Sequence, residues 1–149
     1  MKKKPLKTAQ RPMIAFPQLI RGTLVRRYKR FLADVVLEDG RTVTAHCPNT
    51  GSMKGCSEPG RTVYLSKSNN PSRKLAYTWE LIQMTSSLVG VNTGVPNQLV
   101  YQALSAGTVP ELSGFESVRK EVTVAKGSRI DIVMEDRDGR QCFVEVKNC

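Results

Sequence analysis

The stretch that most restricts the fold is SRIDIVMEDRDGRQCFVEVK, residues 128–147, in which two alternating runs flank Asp138-Gly139. Ile130, Ile132 and Met134 alternate with Arg129, Asp131 and Val133, and Cys142, Val144 and Val146 alternate with Phe143, Glu145 and Lys147. Period two is the signature of half-buried strands, and Asp-Gly marks a tight turn, so the stretch predicts an antiparallel hairpin.

The length of the turn decides whether the polar residues meet. A two-residue loop, Asp138-Gly139, pairs Arg137 with Arg140 and sets Asp131 opposite Val146, with its carboxylate facing away from Glu145. A three-residue loop, Arg137-Asp138-Gly139, with Gly139 in the left-handed position, pairs Asp136 with Arg140 and sets Asp131 opposite Glu145. In the second register Asp131, Glu145 and Lys147 share a face, with the carboxylates roughly 5 Å apart at their Cβ atoms. Two such carboxylates suit a hard divalent cation that keeps positions for water and phosphate oxygens. Lys147 would then orient or deprotonate the attacking water, or stabilise charge growing on the phosphate. Glu-x-Lys is common by chance, and an exposed cross-strand ladder of Glu145 and Lys147 has the same sequence.

Charge is unevenly spread along the 149 residues, which carry a net +10. Residues 1–89 hold 16 Lys and Arg against 5 Asp and Glu, while residues 90–149 hold 7 against 8. A strongly basic module is the footprint expected of a partner for a phosphate backbone, and a near-neutral one with clustered carboxylates is what a metal-dependent site requires. The alternatives are a generally basic surface, or attraction to anionic lipid or ribosomes. The basic N-terminus MKKKPLK is followed by no long apolar run, which predicts a cytoplasmic protein with no membrane segment.

Cys47, Cys56, Cys142 and Cys149 form no Cys-x-x-Cys pair, and the single histidine is His46. A zinc site from His46, Cys47 and Cys56 lacks a recognisable spacing, and reduced thiols are the expected state. Serine and cysteine hydrolase constellations find no matching motif.

In chain order, residues 1–15 read as a basic, flexible arm. Extended segments are expected over 19–26, 31–37, 41–47, 61–66 and 75–84, with a hairpin turn at Glu38-Asp39-Gly40. Short strands with Gly, Pro and Asn turns over residues 16–89 predict a small barrel of the oligonucleotide-binding (OB) type. The face of such a barrel would carry Arg26, Arg27, Tyr28, Lys29 and Arg30, a basic run with a ring able to stack on a base, unless Tyr28 packs under an ordinary turn. CPNTGSMKGC, residues 47–56, must be a loop; its small residues and Lys54 would let backbone amides approach a phosphate, although it matches no Walker motif. Gly90–Gly94 marks a junction, and from Pro96 the pattern predicts a helix with Leu99, Val100, Ala103 and Leu104 on one face, ending at Gly107. A strand over 118–124 precedes the hairpin.

The stretches YKRFLADV, HCPNTGSM, TWELIQ, VNTGVPNQLV, ELSGF, SRIDIVM and FVEVK resemble the sugar fermentation stimulation protein A family. That resemblance implies an α+β protein, an N-terminal OB-like barrel followed over 90–149 by a partial restriction-endonuclease-like, PD-(D/E)xK domain. The Asp, spacer, Glu-x-Lys signature falls on Asp131, Glu145 and Lys147. The nuclease class also carries an acidic residue on the helix before the sheet, where this chain has Asn97, Gln98 and Gln102, with Glu111 only afterwards, so a third ligand stays unassigned. Family members continue past the Glu-x-Lys strand with at least another helix and strand, which implies a C-terminally truncated chain. The expectation is therefore a DNA-binding protein resembling a nuclease dependent on Mg2+ or Mn2+. Its metal ligands are Asp131 and Glu145 with the Val146 carbonyl, and Lys147 acts on water. The alternatives are a non-catalytic DNA-binding regulator of sugar (maltose) utilisation genes and an RNA-associated module.

Overall fold

A computed structural model describes residues 13–148 of the protein; the expected arm lies almost wholly outside them. The chain forms two compact units, one spanning Ala15–Gly94 and the other taking in Val95–Cys149.

The first unit is a closed barrel. β1 (Leu19–Tyr28) is the hub, pairing antiparallel with both β2 (Leu32–Leu37) and β4 (Thr62–Lys67). β3 (Thr42–His46) pairs with β2, and β5 (Tyr77–Gln83) with β4. A short parallel contact, Ala45 with Tyr77 and His46 with Thr78, joins β3 to β5 and closes the ring. β6 (Leu88–Gly90), which the sequence pattern does not reveal, extends β5 as a hairpin.

The two neighbours take largely different halves of β1, β4 pairing with Leu19–Thr23 and β2 with Gly22–Tyr28, and the strand bends between them. A register shift between Leu24 and Arg26 marks the bend, and Gly22 lets β2 approach. A Cβ at Gly22 would stand 2.5 Å from Val35 Cγ1 and 2.9 Å from the Val36 carbonyl oxygen, so no larger residue fits. Alternation then points Leu24, Ala33, Val35, Val63, Leu65 and Ile82 inward around Trp79, whose indole N–H donates to the Leu81 carbonyl at 3.0 Å. The β3–β5 contact joins the edges of the five-stranded ring, with β6 outside it, and the apolar interior is the main stabilising term.

The second unit comprises α1 (Gly94–Ser105), a 3-10 turn (Pro110–Leu112), β7 (Ser117–Ala125), β8 (Ser128–Glu135) and β9 (Gln141–Val144), with β8 in the middle of an antiparallel sheet. Pro96 sits in the first helical turn, as the pattern predicts. Gly107, at φ 66°, ends the helix: its N–H donates to the Leu104 carbonyl and that of Thr108 to the Ala103 carbonyl. Leu104, with Val100 and Tyr101, packs on Ile132 and Met134. Leu99 lies about 100° round the helix from Val100 and is exposed, so the buried stripe centres on Val100 and Leu104 rather than on the four residues expected. Val133 is also buried, flanked in the ladder by Arg119 on β7 and Phe143 on β9. No described helix is long and apolar enough to cross a membrane.

Candidate functional site

The hairpin of β8 and β9 adopts the three-residue loop. The ladder pairs Glu135 with Gln141, Met134 with Cys142 and Ile132 with Val144. The Asp136 N–H donates to the Arg140 carbonyl at 3.1 Å, the Gly139 N–H donates to the Asp136 carbonyl at 3.1 Å, and Gly139 has φ 78°. The Asp136 carboxylate accepts the N–H groups of Asp138 and Arg140 and the Arg140 Nε, which locks the turn. Burial pulls the Asp136 pKa up, but these bonds outweigh it and hold the group below the usual carboxylate value.

One step past the last ladder pair, this register brings Asp131 level with Glu145. Asp131 Oδ2 accepts the backbone N–H of Val146 at 2.9 Å, so a carboxylate takes over where the β9 ladder stops at Val144. Lys147 Nζ lies 3.6 Å from Glu145 Oε2, on two exposed side chains. An exposed pair of this kind contributes little to stability. On the other side of β8, the ladder partners Lys120–Ile132 and Val122–Ile130 bracket Glu121 and Asp131. Glu121 is thus at the level of Asp131, but at φ 51° it is skipped by the ladder. Among the described residues no three His, Cys, Asp or Glu side chains stand together as a metal site. Asp131 and Glu145 remain a pair of hard oxygen donors, which fits a hard cation completed by water and substrate oxygens.

The basic run on the barrel divides into residues facing in and residues facing out. Arg26 Nε binds Asp34 Oδ2 at 2.9 Å, and its guanidinium lies 4.5 Å from the centre of the Tyr28 ring. Asp34 Oδ1 accepts the Tyr28 and Thr44 hydroxyls. Burial of Asp34 favours its neutral form, but the bonds from Arg26, Thr44 and Tyr28 and the Arg26 charge prevail and lower its pKa. Arg27 is half-buried and turned onto the neighbouring loops: Nε reaches the Arg30 carbonyl, Nη1 that of Ser52, and Nη2 those of Asn49 and Gly51, at 2.9–3.1 Å. Lys29, Arg30 and Lys54 are exposed, and their side chains meet no hydrogen-bonding or ion-pair partner among the described residues. Phe31, beside them, is 45% exposed.

Neither Arg27 as a scaffold, nor Asp34 as a hub, nor Val146 as a donor is visible in sequence. Each contact joins residues of different segments, so no local pattern encodes it. The thiols of Cys47 and Cys56 lie in the same loop region; burial pushes both up in pKa, against the pull of the Arg27 charge. Burial, with the Arg73 charge, pushes His46 down.

Comparisons with known proteins agree with this architecture. Residues 25–91 match the SfsA N-terminal OB domain and residues 94–149 the Sugar fermentation stimulation protein RE domain. The sugar fermentation stimulation protein homolog of Geobacter metallireducens is 62% identical over 128 residues, covering 85% of this chain and 55% of its own length. That of Pelobacter propionicus is 58% identical over 132 residues, covering 89% and 57%. The structure of Pyrococcus furiosus SfsA in complex with Ca2+ aligns with a TM-score of 0.78 at 25% identity, over 93% of this chain and 57% of that one. The chain spans a little over half the length of these proteins.

Proposed function

The chain belongs to the sugar fermentation stimulation protein (SfsA) family, and from that premise we propose that it binds nucleic acid through its OB barrel and carries the residues of a phosphodiesterase dependent on Mg2+ or Mn2+. The supporting observation is the hairpin register, which levels Asp131 with Glu145; Lys147, two residues on from Glu145, stands 3.6 Å from it.

In this reading residues 16–89 are the binding module and 90–149 the partial nuclease domain. Asp131, Glu145 and the Val146 carbonyl would hold the cation, which when bound offsets negative charge on the scissile phosphate. Asp131, through the Val146 N–H, keeps the strand end in place. Lys147 orients or deprotonates the attacking water. Lys29, Arg30 and Lys54, with Arg26 at their side, follow the phosphates. Phe31 offers an open ring for a base, since Arg26 already stands over Tyr28.

The test is a cleavage assay on DNA and RNA with Mg2+ or Mn2+, wild type beside Lys147→Ala, with binding measured on the same samples. The expected result is cleavage lost by about two orders of magnitude and binding held. Equal cleavage by both proteins would remove Lys147 from the mechanism. The second reading, a non-catalytic DNA-binding regulator of sugar utilisation, is favoured by one observation: Asp131 already has a structural partner in Val146. It predicts salt-sensitive binding without cleavage, weakened by replacing Arg26 and Lys29 and indifferent to Asp131→Asn.

A further inference from the structure

Arg27 stands where two loops meet. Its guanidinium takes the Arg30 carbonyl from the β1–β2 turn and the Asn49, Gly51 and Ser52 carbonyls from the loop after β3. In a trans peptide the C=O of one residue and the N–H of the next point in opposite directions. Turning the carbonyls of Asn49, Gly51 and Ser52 inward therefore turns the amides of Thr50, Ser52 and Met53 away from Arg27. None of those three amides finds an acceptor among the described residues. Thr50, Ser52 and Lys54 are exposed.

Backbone strain marks the same place. Four non-glycine residues have positive φ, and three of them, Lys29 at 46°, Arg30 at 64° and Met53 at 51°, belong to these two segments. Such conformations persist only where the surroundings over-determine them: the Met53 carbonyl accepts the Cys56 N–H and the Ser57 hydroxyl, while Arg27 holds the Arg30 and Ser52 carbonyls. Neither segment contains an acidic residue from Arg27 to Ala33 or from His46 to Ser57, while Lys29, Arg30 and Lys54 add positive charge. Outward amides beside a lysine with no acidic residue in either segment suit an anion.

We propose that Asn49–Lys54 is a phosphate-binding loop, with Arg27 as its internal scaffold: the amides of Thr50, Ser52 and Met53 and the Lys54 ammonium receive the anion. The site deepens the nucleic-acid reading above, on which it rests for the identity of the ligand. Its chemistry is common to a phosphodiester of the backbone and to free phosphate.

The experiment follows 15N-labelled full chain by NMR, titrated first with inorganic phosphate and then with a short oligothymidylate. The amides of Thr50, Ser52 and Met53 are expected to shift and saturate with both. In Lys54→Ala the oligothymidylate response weakens, and the slope of log affinity against log salt falls by about 0.7, the contribution of one single-strand phosphate contact. In Arg27→Lys, which keeps the charge but not the fork of donors, the three amides stop responding while the resonances of Val35, Leu65 and Trp79 hold their positions. If Arg27→Lys fails to fold, the wild-type titration still decides. Three unmoved amides under both ligands overturn the loop site, whether or not oligothymidylate binds elsewhere. Shifts with phosphate but none with oligothymidylate uphold the loop and overturn the nucleic-acid reading. An unchanged response in Arg27→Lys overturns the scaffold.

Discussion

The barrel, antiparallel but for its β3–β5 closure, and the antiparallel β7–β9 sheet hold their polar residues by opposite means. The barrel closes on itself around twelve buried residues; the sheet lays one face on α1 around three, among those described. In the barrel a cation, Arg27, binds backbone carbonyls and fixes two exposed loops. In the sheet an anion, Asp131, binds a backbone N–H and fixes the end of a strand. A closed scaffold can hold strained, solvent-facing turns. In the sheet, β9 is held at its end by Asp131. On the proposed reading, structure and function separate by residue in the barrel and coincide on Asp131 in the sheet.

The largest test of that contrast is Trp79→Ala. Trp79 is fully buried at the barrel centre, so its loss should remove roughly 3–5 kcal/mol, read as a lower denaturant midpoint. A shift under about 1 kcal/mol would mean that the closed core does not carry the barrel.

Next in size is the pair Asp131→Ala and Asp131→Asn. Alanine strands the Val146 N–H and should cost about 1 kcal/mol, with faster amide exchange at Val146. Asparagine keeps an acceptor for that N–H and should leave exchange near wild type while removing the charge. Equal exchange in the two variants would break the idea that Asp131 pins the strand.

A smaller effect belongs to Asp34. Its folded pKa is lowered from the ordinary 3.8, so its contribution is fully present above that value and drains away as the pH falls through the folded pKa. Asp34→Asn should flatten the acid limb of the stability profile below pH 3.8. An identical acid limb would show that the Arg26–Tyr28–Asp34 arrangement has no bearing on stability.

Much of this fold was legible because its signals are local. Alternation located the strands that build the barrel and the hairpin, and Gly107 ended the helix where its left-handed cap requires. Asp138-Gly139 marks the turn but suits two loop lengths, and the Asp136–Arg140 pairing with left-handed Gly139 is what selects the one that levels Asp131 with Glu145. β6 escaped because three residues show no period. The basic run read as one surface, whereas Arg27 turns onto the neighbouring loops, since its carbonyl partners in the loop after β3 lie 22–25 residues away in sequence. Glu121 gave no signal, because its level beside Asp131 depends on a residue the ladder skips.

The central claim is that Asp131 and Glu145 form one cation site, and substoichiometric Mn2+ added to the 15N-labelled full chain tests it most directly. The account predicts that paramagnetic broadening concentrates on amides at and around Asp131 and Glu145, and that it disappears in both Asp131→Asn and Glu145→Gln. Broadening that centres elsewhere, or that survives unchanged in those variants, would contradict it.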